Sequence, residues 1–317
     1  MISRFLKHYL IAFVAIMIVS VGILVAYTPR IGLEFTGGAL TEVRYEVAPS
    51  LEALYALLDT LPLAKPLESY ALRETTFNDG KAGIMLRTRE LVEAERIAIH
   101  GALVASDASS TVTRYTAVGS VVGQELIDKA WWAIAAIILS IVLYVAFAFR
   151  GTPGNFKSSL FGIVTVAVLV HDLVVPSAAL AILGQTAGAE IDTLFVIALL
   201  AILGYSVNDT VVIFDRVREE LQRDAQKKVA RTLAEIVDTA TKLTLGRSLN
   251  TSMTVVFVLA ALYVFGAPVT ATFSLIMLIG VLAGTYSSIF IATPLLIALA
   301  PKFMRPQEDD AAPTPSV

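Results

Sequence analysis

The chain has no cysteine, three histidines and two tryptophans among its 317 residues, and Asp, Glu, Lys and Arg make up only 16% of it. Without cysteine there is no disulfide framework, no thiolate nucleophile, no iron–sulfur cluster and no cysteine zinc site, so a domain outside the cytoplasm must hold together by packing alone. His8, His100 and His171 fall in different topological regions, which argues against a histidine metal centre or a Ser-His-Asp triad. No enzyme constellation and no cofactor motif stands out. Charge is nearly balanced, 24 basic against 27 acidic residues for a net of −3, so the chain is not a basic nucleic-acid-binding protein. What it has in excess is apolar: 56% hydrophobic residues and a mean hydropathy of +0.74 exclude both an ordinary soluble protein and a disordered one.

A spanning helix needs about 20 mostly apolar residues. Six runs qualify: Tyr9 to Tyr27, Ala130 to Phe149, Ser159 to Leu183, Ile191 to Phe214, Gly246 to Phe265 and Ala271 to Ala298. The first follows Arg4 and Lys7 as a secretory signal would, but it is longer than a cleavable core and lacks a small-x-small exit, so it reads as an uncleaved anchor. Lys and Arg set the orientation. Arg4, Lys7, Arg150, Lys157, the seven basic residues from Arg216 to Lys242, then Lys302 and Arg305 all fall on one side if the six spans alternate. The opposite short loops, Gly184 to Glu190 and Gly266 to Val269, have none. Both termini and the loop 215–245 are therefore expected in the cytoplasm, and 307–317 reads as a disordered tail.

Residues 28–129 are too polar for lipid and read as a domain across the membrane from the termini. Leu40, Glu42, Arg44 and Glu46 alternate with Thr41, Val43, Tyr45 and Val47, the pattern of a strand over Ala39 to Val47. A helix from Ser50 to Leu61, strands Leu67 to Phe77 and Ala82 to Arg87 around Asn78-Asp79-Gly80, a helix Glu90 to Ser106 and a strand Ser109 to Val118 follow. The expected fold is thus a polytopic α-helical membrane protein of six transmembrane helices. An α+β ferredoxin-like (βαββαβ) extracytoplasmic domain is set between its first and second helices.

Ionisable residues inside spans cost about 2.5–3.5 kcal/mol each on insertion scales, so each asks for a partner, a watery cavity or a task. Asp209 lies about 9 Å inside the cytoplasmic boundary, counting about 1.5 Å per residue from Asp215. The apolar run from Leu249 to Phe265 is short for a span and must borrow upstream residues, which puts Arg247 in its first inner turn. From there its side chain reaches the depth of Asp209. Carboxylates beside a fixed cation lose protons and carboxylates in apolar surroundings keep them, so relative motion of the two is a proton-coupling device; a pair that merely fixes helix register is the alternative. Asp172, after His171 and one turn before Pro176, is a possible second polar site: either a relay or a hydrogen-bonding post between helices.

Gly280, Gly284 and Ser288 form a small-residue stripe suited to close helix packing. Phe35-Thr36-Gly37-Gly38, after Glu34, reads as a hinge or a tight turn where the chain leaves the first span. Phe214 to Gln222 continues the fourth span as a charged helix with Asp215 and Glu219 one turn apart, expected to be solvated.

Gly204 to Glu219 (GYSVNDTVVIFDRVRE) and Gly280 to Leu295 (GVLAGTYSSIFIATPL), with GLEFTGG at Gly32 to Gly38, His171-Asp172 and TLGRS at Thr244 to Ser248, resemble the SecF family of the SecDF protein-export complexes. That family lies within the resistance-nodulation-division superfamily. The resemblance implies pairing with SecD in a twelve-span unit, association with the SecYEG channel and YajC, and use of protons to complete export of unfolded polypeptide across the bacterial cytoplasmic membrane after SecA. It also implies a proton relay at Asp209 and Arg247, to which Asn208, Ser206 and Tyr205 of the same motif belong. Glu34 stands where the family commonly has Asp, and Gly246-Arg247-Ser248 where Ser-Arg-Thr is commoner. Half of a proton-coupled small-molecule or lipid exporter, and a non-conducting assembly subunit, are the alternative functions.

Overall fold

The computed structural model describes residues 3–67, 70–77, 80–107, 109–152, 159–228 and 231–303. Its elements begin with α1 (Leu6–Ala26), α2 (Leu33–Thr36), β1 (Gly38–Arg44), α3 (Leu51–Asp59), β2 (Ala71–Thr76), β3 (Ala82–Thr88), α4 (Glu93–Ala105) and β4 (Thr111–Val118). Long helices follow: α5 (Ser120–Ala148), α6 (Ser159–Thr186), α7 (Thr193–Lys227), α8 (Leu233–Phe265) and α9 (Pro268–Ser287). A π-helical turn (Ser288–Ala292) then leads into α10 (Thr293–Leu299). Ile31–Trp131 packs as one unit and the rest of the chain as another.

In the smaller unit the four strands form an antiparallel sheet in the order β2-β3-β1-β4. Alternation along β1 and β3 buries Ala39, Val43, Ile84 and Leu86. Tyr45, Ile84 and Leu86 join Leu54 and Leu58 of α3 and Ile99 and Leu103 of α4 in one core. Ser50 caps α3 by accepting a hydrogen bond of 3.3 Å from the Ala53 amide. Helix α4 starts at Glu93, three residues later than the pattern suggested, because Glu95 turns back to accept from the Val92 amide at 3.3 Å and pairs with Arg89. The first strand stops at Arg44, short of Val47, which is 80% exposed, and β2 starts at Ala71 rather than Leu67, whose side chain is tucked into the core from a loop. The Phe77 amide bonds to the Lys81 carbonyl at 2.9 Å, closing the β2–β3 connection; Asn78 and Asp79 lie outside the described residues.

Glycine is required at two positions of the motif after α2. Gly37 and Gly38 have φ of 70° and 117°, and an added Cβ would stand 2.7 Å from Ser120 Cα and 2.4 Å from the Thr88 carbonyl oxygen respectively. The Phe35 carbonyl in turn sits where a Cβ on Gly123 would be, at 2.6 Å, and Arg87 donates to Thr36 Oγ1 at 2.6 Å. The segment is interlocked with its surroundings on several sides.

Among the described residues six helices are long and apolar enough to cross a membrane, those starting at Ser3, Ser120, Ser159, Thr193, Leu233 and Pro268. α6 and α7 carry more buried residues than any other helix. Gly280 packs on Ile202 of α7 and Gly284 on Ser206, while Ser288 meets Thr210 at 2.9 Å, so the small-residue stripe is where α9 approaches α7. At one end Phe149, Phe161 and Phe214 stack, with ring centres 4.9 to 5.9 Å apart.

Two expectations change here. The segment Phe214 to Gln222 is not uniformly solvated: Phe214, Val217, Glu220 and Asp224 recur at helical spacing and are buried. Arg231 bridges Glu220 at 2.9 Å and Asp224 at 2.5 Å, so the charges on that face are paired. Second, α8 starts at Leu233 rather than near Gly246. Thr232 and Glu235 form a capping box there, with the Thr232 amide donating to Glu235 at 2.8 Å. Residues 307–317 lie outside the described residues.

Candidate functional site

Successive helical residues point about 100° apart, so the run Gly204 to Thr210 presents different side chains to different neighbours of α7. Tyr205 and Asp209 face α8, whereas Ser206 and Thr210 face α6 and α9. Asp209 is 8% exposed. Ser248 Oγ donates to its Oδ1, and its Oδ2 has no hydrogen-bond partner among the described residues. The Tyr205 hydroxyl donates to Ser252 Oγ at 2.8 Å, which in turn meets Thr285 Oγ1 at 2.7 Å, a hydroxyl chain across α7, α8 and α9. Tyr205, Asn208, Asp209, Arg247 and Ser248 line a cavity of about 100 Å³. That is room for water beside the unpartnered carboxylate oxygen.

Arg247 reaches this cavity but makes no ion pair with Asp209 among the described residues. Its side chain is exposed, and the neighbouring residue, Ser248, holds the carboxylate. Once the helix is continuous through this region, Arg247 and Ser248 must face different ways, and the short hydroxyl takes the inner one.

Ser206, grouped with Asp209 by the motif, belongs to a second cluster. His171 and Asp172 of α6 are 1% and 0% exposed. His171 Nδ1 lies 2.8 Å from Asp172 Oδ1, and Asp172 Oδ2 accepts from Ser206 Oγ and, at 3.0 Å, from Ser287 Oγ. His171 Nε2 is buried without a partner among the described residues. Phe13 of α1 and Tyr286 of α9 flank the imidazole, with ring centres 6.0 and 6.5 Å away. Pro176 has no N–H, so the Asp172 carbonyl lacks its helical donor. Ser287 stands where α9 gives way to the π turn, a local loosening of the helix of the kind often found at working sites.

Sequence reasoning missed Thr285 and Ser287, and gave Ser248 and Ser252 no role of their own. The four-residue spacing of Ser248 and Ser252, which puts both on one face of α8, was the available signal. Glu34, Phe35, Gly37 and Gly38 lie in the other unit and are not part of either cluster.

The family model for protein export membrane protein SecD/SecF, C-terminal, matches residues 99–302. The chain is 36% identical to protein translocase subunit SecF of Thermobaculum terrenum, with 90% of each covered, and 30% identical to SecF of Helicobacter pylori, with 93% of this chain and 86% of the relative covered. Among solved structures it is similar to SecDF of Thermus thermophilus, a translocon-associated membrane protein, at 28% identity and a TM-score of 0.75. That alignment covers 93% of this chain and 38% of the longer SecDF chain. A helical membrane architecture of six candidate spans, a small antiparallel sheet unit after the first of them, and relatedness to SecF along nine-tenths of its length show that the chain belongs to the SecF family of protein translocase subunits.

Proposed function

We propose that this chain is a proton-driven accessory subunit of the Sec translocase, working with SecD to assist late-stage export of unfolded polypeptide through SecYEG, with YajC as a further partner. The single observation that carries the reading is Asp209: an acid among spanning helices, one oxygen on Ser248, the other without a partner among the described residues and beside a cavity that Arg247 also lines. A proton from cavity water binds the free oxygen. Approach of the Arg247 guanidinium expels it, and withdrawal lets it return, so each exchange is tied to the relative position of α7 and α8. Tyr205 and Asn208 shape the mouth of the same cavity.

The sequence of charged loops supports a multi-pass protein of the bacterial cytoplasmic membrane with both termini inside, and residues 28–129 outside. The strand order β2-β3-β1-β4 and the βαββαβ succession support a ferredoxin-like fold for that domain, placed to hold or pull the emerging chain. As the SecDF chain is longer, SecD supplies the other half of a twelve-span unit.

Asp209→Asn keeps the size of the side chain and cannot ionise. In cells it should abolish proton-dependent export, and Arg247→Met should impair it at normal expression. Reconstituted with SecD in liposomes, the wild-type chain should pass protons faster than Asp209→Asn. Equal rates would leave the chain an assembly subunit whose buried ions are structural.

A further inference from the structure

We propose that His171 and Asp172 form a second proton-binding station, occluded inside the bundle, which takes up one proton at His171 Nε2. It rests on the proton-driven reading above and extends it to a site distinct from Asp209. The carboxylate of Asp172 is addressed by three groups, His171 Nδ1 on one oxygen and the hydroxyls of Ser206 and Ser287 on the other. With each donating, Asp172 is the acceptor throughout and Nδ1 carries a hydrogen. Nε2 then has a free lone pair where a proton can be added without breaking a bond, and it is buried and unpartnered among the described residues.

Charge supplies the drive. With neutral imidazole the dyad carries −1 in a site shielded from solvent; a proton on Nε2 makes it neutral overall, as an ion pair. In the step itself a hydronium ion gives its proton to Nε2, an O–H bond breaking as the N–H bond forms. Water leaves, and the reverse reaction returns the proton. Titratable groups on the packed helices are few. Tyr286 of α9 stands 6.5 Å away between ring centres, Tyr9 of α1 lies over Phe290, and Asp209 of α7 is turned toward α8. α1 otherwise offers Phe13.

Water therefore reaches Nε2 only when these helices part, and the cluster is built where they are weak: the Asp172 carbonyl has no helical donor, and the π turn follows Ser287 directly. The two stations share α7. Ser206 and Asp209 are three residues apart, so rotation of α7 that draws Ser206 from Asp172 also shifts Asp209 against Ser248.

Because the chain has three histidines, the double variant His8→Gln/His100→Gln leaves His171 as the single imidazole. Labelled with 15N-histidine and reconstituted with SecD in liposomes, its Nε2 signal should show both the bare and the protonated form, exchanging as the medium is acidified. It should do so in an Asp209→Asn background as well. Proton flux should fall about a hundredfold in His171→Gln. A signal fixed in one state, or wild-type flux in His171→Gln where Asp209→Asn has lost it, overturns the second station and leaves Asp209 as the relay. If the wild-type chain shows no flux the proton-driven reading fails. The Nε2 signal then decides alone: titration keeps a proton-binding site, and a fixed state removes it.

Discussion

Gly280→Ala tests how tightly the small-residue stripe sets the separation of α7 and α9. An alanine methyl there would stand 2.1 Å from Ile202 Cδ1, 2.4 Å from Cγ1 and 3.1 Å from Cγ2. A clash with Cδ1 alone is relieved by turning the end of the side chain. Contact with both γ carbons is not, because a β-branched residue in a helix has essentially one χ1 rotamer, and Ile202 is wholly buried among Leu180, Phe195, Ala198, Leu199 and Ile276. Overpacking of this kind costs about 1–3 kcal/mol, against a helix-propensity gain of about 1 kcal/mol for replacing glycine by alanine. The expected net loss is about 0–2 kcal/mol, read by reversible unfolding in mixed micelles. Ile202→Ala alone should cost about 2–5 kcal/mol through the cavity it leaves. In the double variant the new methyl occupies part of that space, so the two losses should fall short of additivity by about 1–3 kcal/mol. Strict additivity of the two substitutions would refute the close approach of the two helices.

Phe214→Ala should remove the ring that contacts both Phe149 and Phe161 edge-on, at 5.9 and 5.2 Å, and cost about 3–5 kcal/mol in the same assay. Gly38→Ala should destabilise the small unit, since φ is 117° and the new Cβ meets the Thr88 carbonyl; faster hydrogen exchange along β1 and β3 is the measurement. Hydrogen bonds from Arg89 above all, then from the Val92 and Lys65 amides, hold the Glu95 carboxyl down to about 2 from its ordinary 4.5. A depressed acid stabilises the fold above its unfolded value and loses that contribution as pH falls through the folded one. Exchange protection at the start of α4 should therefore decline between about pH 4.5 and 2, and Glu95→Gln should abolish that dependence.

Much of the architecture is legible in the residues themselves. A run of about 20 apolar side chains declares a span wherever it is placed, so the six candidate spans, from Tyr9 onward to the run ending at Ala298, overlap the six long helices observed. Period-two alternation likewise located β1, β3 and β4 to within a few residues, and Ser50 announced the start of α3. Boundaries moved where a polar side chain competed with the pattern: Glu95 delays α4, and Thr232 with Glu235 opens α8 fourteen residues before Arg247 becomes its neighbour at the cavity.

Finding acids inside apolar runs needs no fold, because the cost of burying a charge belongs to the residue and its solvent; Asp172 and Asp209 are marked as special by sequence alone. Their partners are another matter. Whether Asp209 meets Arg247 or Ser248, and whether Ser206 serves Asp209 or Asp172, depends on the rotation of α7 and α8 about their axes, and those rotations are fixed by packing far from either acid. Gly280 against Ile202 is one such contact and the Phe149–Phe161–Phe214 stack is another. A helix turned by one residue swings each side chain through about 100°, so the identity of the groups came from the sequence, while their pairing came from the way the helices close on one another.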